Sequence, residues 1–341
     1  MTLPVVEPTI SPEPERKVEP AAASASKGMD RISSLLLAPV RNLRDNPVVL
    51  KEMRSQMRGV RALIIVTVYL VLMSILISLI YLGFVSAEET SPTTSIRNAV
   101  GKTIFGAVVG MELMMVCFLS PALTAGAIAA ERERQTFDLL RTTLLPARSL
   151  VFGKLVSALS FLLILLFVGF PLQSMAFLFG GVSIEEVLIA MLILVSTAFF
   201  FSGIGLFISS FMKTTLASTV ISYIVAILIA FGLPVLISMA IIFLGVLPQA
   251  ISNLSSFQET LLEILIVVIG YSFIAINPLA TAISTEMMIL EKQNAFYITL
   301  PLSNGWNFPI LGPWIFYTLV YLIASLVLVW LSIRFVRQVE K

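Results

Sequence analysis

The chain has 341 residues, of which 58% are hydrophobic and 12% charged, with a formal net charge of +2 and no histidine. Soluble domains carry about 25% charged residues, so this composition excludes an ordinary soluble fold. The missing histidine removes the commonest general base and the commonest metal ligand, which argues against His-dependent enzymes.

Residues 1–29 form a tail rich in Pro, Ala, Ser and Glu, with no apolar core of secretory type. Such a tail buries too little apolar surface to offset its chain entropy and reads as disordered. Residues 30–60 form a basic segment that, with Arg61, carries Arg31, Arg41, Arg44, Lys51, Arg54 and Arg58. Asn46-Pro47 suits a helix start, with Asn as cap and Pro in the first helical position. Val49, Leu50, Met53 and Met57 then recur at helical spacing. Lys51, Arg54, Arg58 and Arg61 are interleaved with them. This pattern predicts an amphipathic helix in the membrane interface, its cations toward anionic head groups. A basic flank that only fixes orientation is the alternative.

Residues 61–335 read as a transmembrane domain. A bilayer crossing needs roughly 20 apolar residues, and several charge-free runs exceed that. The first five spans are expected at about Arg61–Phe84, Thr103–Ala130, Leu155–Phe179, Val187–Phe211 and Thr214–Phe243. The fifth is bent near Gly232 and Pro234. The last is expected at Pro313–Ser332, leaving residues 336–341 as a short tail. Leu261–Ala275 is apolar but short, carries Glu263 and stops at Asn277-Pro278. The predicted fold is therefore all-α with six transmembrane helices, or seven if this segment crosses. Basic residues favour six. They cluster before the first span, between the second and third, and after the last. The positive-inside rule then puts both termini in the cytoplasm and leaves Leu261–Ala275 as a re-entrant or outer-leaflet helix.

Few residues offer chemistry. Gly101-Lys102-Thr103 has the second half of a phosphate-binding loop, but Ile96 stands where the first Gly is needed. The chain is thus expected to have no ATPase of its own. Glu112 is the one acid well inside a span. Charge near the bilayer centre is costly and usually faces protein or a wet cavity, so Glu112 is a candidate for the transport path or a dimer interface. A structural Glu is the other reading. Ser120-Pro121 is a candidate kink. Ser202, Gly203, Gly205, Ser209 and Ser210 permit close helix packing. Cys117 is the single cysteine, so no internal disulfide is available.

The connection after the second span holds the most information. Glu131-Arg132-Glu133-Arg134 ends the span. Phe137, Leu139, Leu140, Leu144 and Leu145 then form a short apolar group that Pro146 ends. An amphipathic helix at the end of a helical hairpin suits docking into a partner's groove. A solvated loop with an orienting charge cluster is the plainer reading. The run Glu131–Arg134, Thr136, Leu139-Leu140, Thr142-Thr143, Pro146, Arg148 and Gly153-Lys154 resembles the corresponding loop of type-2 ABC exporter permeases. Asn46-Pro47 to Arg58, the six-span plan and Asn277-Pro278 before the last span resemble that family as well. Gln135 departs from it, standing where the family usually places Gly.

The resemblance implies a coupling helix over Phe137–Leu150, seated in a separate ATPase subunit. Glu131, Arg132, Glu133, Arg134, Thr136, Phe137, Leu139, Leu140, Arg141 and Arg148 would make the contacts. It implies a permease of the cell membrane that pairs with a second, identical or different, permease. Export of a hydrophobic or amphipathic substrate follows from it too. ATP and Mg²⁺ would be bound by the partner subunit, with no cofactor on this chain and no nucleic acid among its partners. A membrane scaffold or receptor without transport is the rival reading. An intramembrane enzyme is weaker, since Glu112, Glu263 and Glu286 form no recognisable catalytic pair in the sequence.

Overall fold

A computed structural model describes residues 60–88, 94–135, 147–232, 234–236, 239, 256–292, 295–301 and 307–338. The helices are α1 (Val60–Glu88), α2 (Thr94–Thr124), α3 (Ala129–Glu133), α4 (Ala147–Phe179), α5 (Ile184–Phe211) and α6 (Thr215–Ile227). After α6 comes a π-helical turn, Leu228–Gly232. Then follow α7 (Ser256–Ile274), α8 (Pro278–Lys292) and α9 (Pro313–Gln338). Among the described residues, six helical segments are long and apolar enough to cross a membrane. Leu63, Phe167, Leu216 and Leu326 lie exposed on these helices, as expected of side chains that meet lipid rather than water.

α5 is the hub. It packs against α9, α2, α4 and α6, and 67% of its span is buried, against 17% for α1. Gly205 permits its approach to α2: a Cβ there would meet Thr124 Oγ1 and come within 3.2 Å of Pro121 Cα. The small residues of α5 thus serve close packing, as expected from the sequence.

Contacts fix the direction of each span. The Tyr81 ring lies 5.7 Å from that of Phe179, so α1 and α4 end together. Phe335 packs on Phe207 and Phe211, so α9 and α5 end together at the opposite face. Glu133 bonds to Thr215 at that same face, where α6 begins. The start of α1 and the end of α9 therefore lie at the end of the bundle that carries Glu131–Arg134. α6 leaves this end and α9 returns to it.

α7 and α8 meet at a bend of 114°. Asn277 builds the corner. Its Oδ1 accepts from Ala280 N–H at 2.8 Å, capping α8, and Pro278 follows as the first helical residue. Its Nδ2 donates to the carbonyls of Ile229 and Ala230, at 3.0 and 2.9 Å. Those carbonyls belong to the π-helical turn, where the regular ladder is interrupted. Tyr321 on α9 donates to Ile276 O at 2.6 Å. The corner is thus anchored to both neighbouring spans, and Leu261–Ala275 falls, up to Ile274, on α7, the first arm of this bent pair.

Several expected boundaries shift. α4 begins at Ala147, so Arg148, Lys154 and the stretch Ala147–Leu150 belong to it rather than to a loop or coupling helix. α5 begins at Ile184, because Ser183 accepts from Glu186 N–H as its cap. Gly180 and Gly181, at φ 87° and 88°, make the turn before it. α9 runs on to Gln338 and takes in Arg334 and Arg337. Span 2 is interrupted at 125–128, shortly after Pro121, which lies inside α2. Strands β1 (Tyr297–Pro301) and β2 (Asn307–Leu311) pair antiparallel in a hairpin that the sequence reading does not anticipate.

Candidate coupling and translocation site

Span 2 breaks where hydroxyls from two other helices can satisfy its backbone. Ser209 Oγ on α5 accepts from the N–H groups of Ile128 and Ala129, each at 2.9 Å. Ser218 Oγ on α6 donates to Ala125 O at 2.5 Å. The short helix α3 emerges from this break with the charge run on its last turn.

Three residues of that run each reach a different span. Glu131 Oε1 accepts from Lys154 Nζ on α4 at 3.3 Å, with the lysine side chain 8% exposed. Arg132 Nη1 donates to Met212 O at 3.4 Å, where α5 ends and leaves carbonyls without helical partners. Glu133 Oε2 accepts from Thr215 N–H at 2.9 Å and from its hydroxyl at 2.6 Å, at the start of α6. A carboxylate at a helix N-terminus also meets the positive end of the helix dipole. Each of these three partners lies within the chain. Lys154 and the hydroxyls of Ser209, Ser218 and Thr215 complete this brace; Ser218 and Thr215 carried no signal in the sequence, and Ser209 was expected only to permit close packing. The alternating signs of the run were its one visible signal.

Arg134 ends α3, and Gln135 follows in the left-handed region at φ 57°, its N–H donating to Arg132 O at 3.1 Å. This is the conformation that glycine adopts without penalty at a helix C-terminus. Arg148 is exposed in the first turn of α4. Thr136, Phe137, Leu139, Leu140 and Arg141 lie outside the described residues, as do Lys51, Arg54 and Arg58. Arg61 is described by its backbone alone, within α1.

Glu112 sits in the helical interior, 1% exposed. Tyr69 on α1 and Gln173 on α4 both donate to its carboxylate. In this conformation α1, α2 and α4 of the chain enclose it. The half-motif Gly101-Lys102-Thr103 lies inside α2 as regular helix. Farther along α2, Met114, Met115, Phe118 and Leu119 line a shallow apolar hollow of about 280 Å³ with Tyr223 of α6.

No curated protein matches the chain. The family profile described as ABC-2 type transporter matches residues 46–255. That match covers more than half of the sequence and includes the break, the charge run and the hollow. The chain belongs to the ABC-2 type transporter family and is a multi-pass membrane permease component of an ABC transporter.

Proposed function

We propose that this permease forms half of a translocation path and is driven by a separate ATPase subunit docked on residues 136–146. The brace supports this reading. A force on that segment enters α3 directly, and Glu131, Arg132 and Glu133 pass it to α4, α5 and α6 at once. The end of the bundle that carries the brace is cytoplasmic, since the basic residues cluster there. Both termini share that side of the cell membrane, and a second permease completes the path. The hollow on α2 and α6 has apolar walls, which favours export of a hydrophobic or amphipathic substrate.

The test is association with the motor. Replacing Leu139 and Leu140 together by Asp would put unpaired charge into an apolar groove, at a cost of roughly 3–5 kcal/mol if the groove is dry. An ATPase subunit should co-purify with the tagged wild-type chain from native membranes and be lost from the double variant, with insertion unchanged. Equal recovery of the ATPase with both proteins would remove this segment as the docking element.

A further inference from the structure

At the end of the bundle opposite the charge run, Lys102 on α2 reaches two carboxylates. Its Nζ lies 3.6 Å from Glu186 Oε1 on α5 and 3.6 Å from Glu286 Oε1 on α8. One ammonium facing two carboxylates leaves an excess negative charge at this junction. The excess is not hydrated in the ordinary way, because Glu186 is only 5% exposed. Its second oxygen, Oε2, has no hydrogen-bond partner, and neither has the hydroxyl of Thr285, which is 3% exposed.

Glu186, Thr285 and Glu286 line one cavity of about 30 Å³, walled otherwise by apolar side chains such as Val109, Ile189 and Ile193. That volume suits one occupant of about a water's size. Leaving a buried carboxylate oxygen without a partner costs more than about 1–3 kcal/mol. A water can donate to this oxygen, whereas a cation with oxygen ligands also offsets the excess negative charge of the junction. Divalent ions fit poorly. Magnesium keeps several waters in a strict octahedron, which this cavity cannot house, and any divalent ion would leave the junction with a net positive charge. A single positive charge also matches the single excess negative one.

We propose that this cavity binds one monovalent metal cation, held by Glu186 Oε2, Thr285 Oγ1 and the Glu286 carboxylate. Lys102 and Glu286 are 22% and 24% exposed, which gives the ion a way in from the bundle surface. The site joins α5 to α8, so its occupancy sets how firmly the α7–α8 pair is held against the bundle. The proposal does not depend on the docked ATPase or on the substrate.

The test uses the full-length chain in lipid nanodiscs, with thermal unfolding followed by tryptophan fluorescence at fixed pH and ionic strength. N-methylglucamine chloride, whose cation is too large for the cavity, is replaced stepwise by sodium chloride or by potassium chloride. Ligand linkage predicts a saturable rise in Tm with at least one of the two salts. Glu186→Gln should abolish that rise. Thr285→Val, which keeps shape and charge, should move its midpoint to at least about tenfold higher concentration. The valine variant serves as the test if the glutamine variant does not fold. No saturable rise with either salt, or the same rise in both variants, would overturn the site.

Discussion

The hydroxyl of Tyr69 on α1 donates to Glu112 Oε1 on α2 across 2.8 Å, in the interior of the bundle. Gln173 of α4 donates to the other carboxylate oxygen. Gly169 lies one turn earlier on α4, and a Cβ there would meet both the Tyr69 hydroxyl and Glu112 Oε1. A buried carboxylate with two donors from two helices acts as a three-way clamp.

Glu112→Ala should therefore lower stability as well as transport. It leaves the Tyr69 hydroxyl and the Gln173 amide without their acceptor, each worth about 1–3 kcal/mol, and opens a small cavity. Tyr69→Phe removes one bond to the carboxyl group and should cost about 0.5–1.5 kcal/mol. Thermal unfolding in detergent checks both. An unchanged Tm for Glu112→Ala would show that the clamp does not hold the helices together.

The spans were legible because charge-free runs of this length have one physical use. The clamp was not, since Glu112 alone signals burial but not which helices close over it. The sequence puts the start of the fourth span at Val187; the Ser183 cap puts Glu186 inside the helix instead. The charge run pointed to the right segment but not to its partners. Lys154, Met212 and Thr215 are brought to it only by the packing of α4, α5 and α6. The hairpin did leave a trace: Asn304-Gly305 stands between the two strand segments, and Asn-Gly is a strong hairpin signal.

Asn277 links the α7–α8 corner to the π-helical turn through donors that an acid lacks. Asn277→Ser retains a capping oxygen and loses the reach to Ile229 O and Ala230 O. Asn277→Asp retains the cap and turns an anionic oxygen toward those two carbonyls. Thermal stability should fall in the order Asn, Ser, Asp, with the cap itself worth about 1 kcal/mol. Equal Tm for wild type and Asn277→Asp would show that the amide contacts contribute nothing.

Gln135 adopts a left-handed conformation at φ 57°, which costs a residue with a Cβ about 1–2 kcal/mol. Gln135→Gly should relieve part of that cost and raise Tm. The gain is partly offset by the greater backbone freedom that glycine has in the unfolded chain. A fall in Tm on this substitution would mean that the Gln135 side chain holds the turn.

Sidedness is open to chemical labelling. In a background with Cys117 replaced, single cysteines at positions 50, 140 and 338 should resist a membrane-impermeant thiol reagent in intact cells. A cysteine at position 90 should react. Labelling at 338 would contradict the contacts that bring the end of α9 to the face of the charge run.

The link between the charge run and α4 can be separated from its chemistry by exchanging the charges. Glu131 and Lys154 lie 3.3 Å apart, with their side chains 28% and 8% exposed. Glu131→Lys would set two cations against each other in a partly dry place, with an expected loss of about 1–3 kcal/mol, less than the full cost of breaking a buried pair. Lys154→Glu makes the opposite repulsion. Combining the two restores one pair of opposite charges at the same position and should recover most of the stability. Transport discriminates further. If the pair carries force from the docked segment to α4, each single variant should retain the ATPase on co-purification yet transport poorly, because docking and transmission use different residues. The double variant should regain transport. Recovery of stability without recovery of transport would make the pair a fastening only and leave Arg132 and Glu133 as the routes from α3 into α5 and α6.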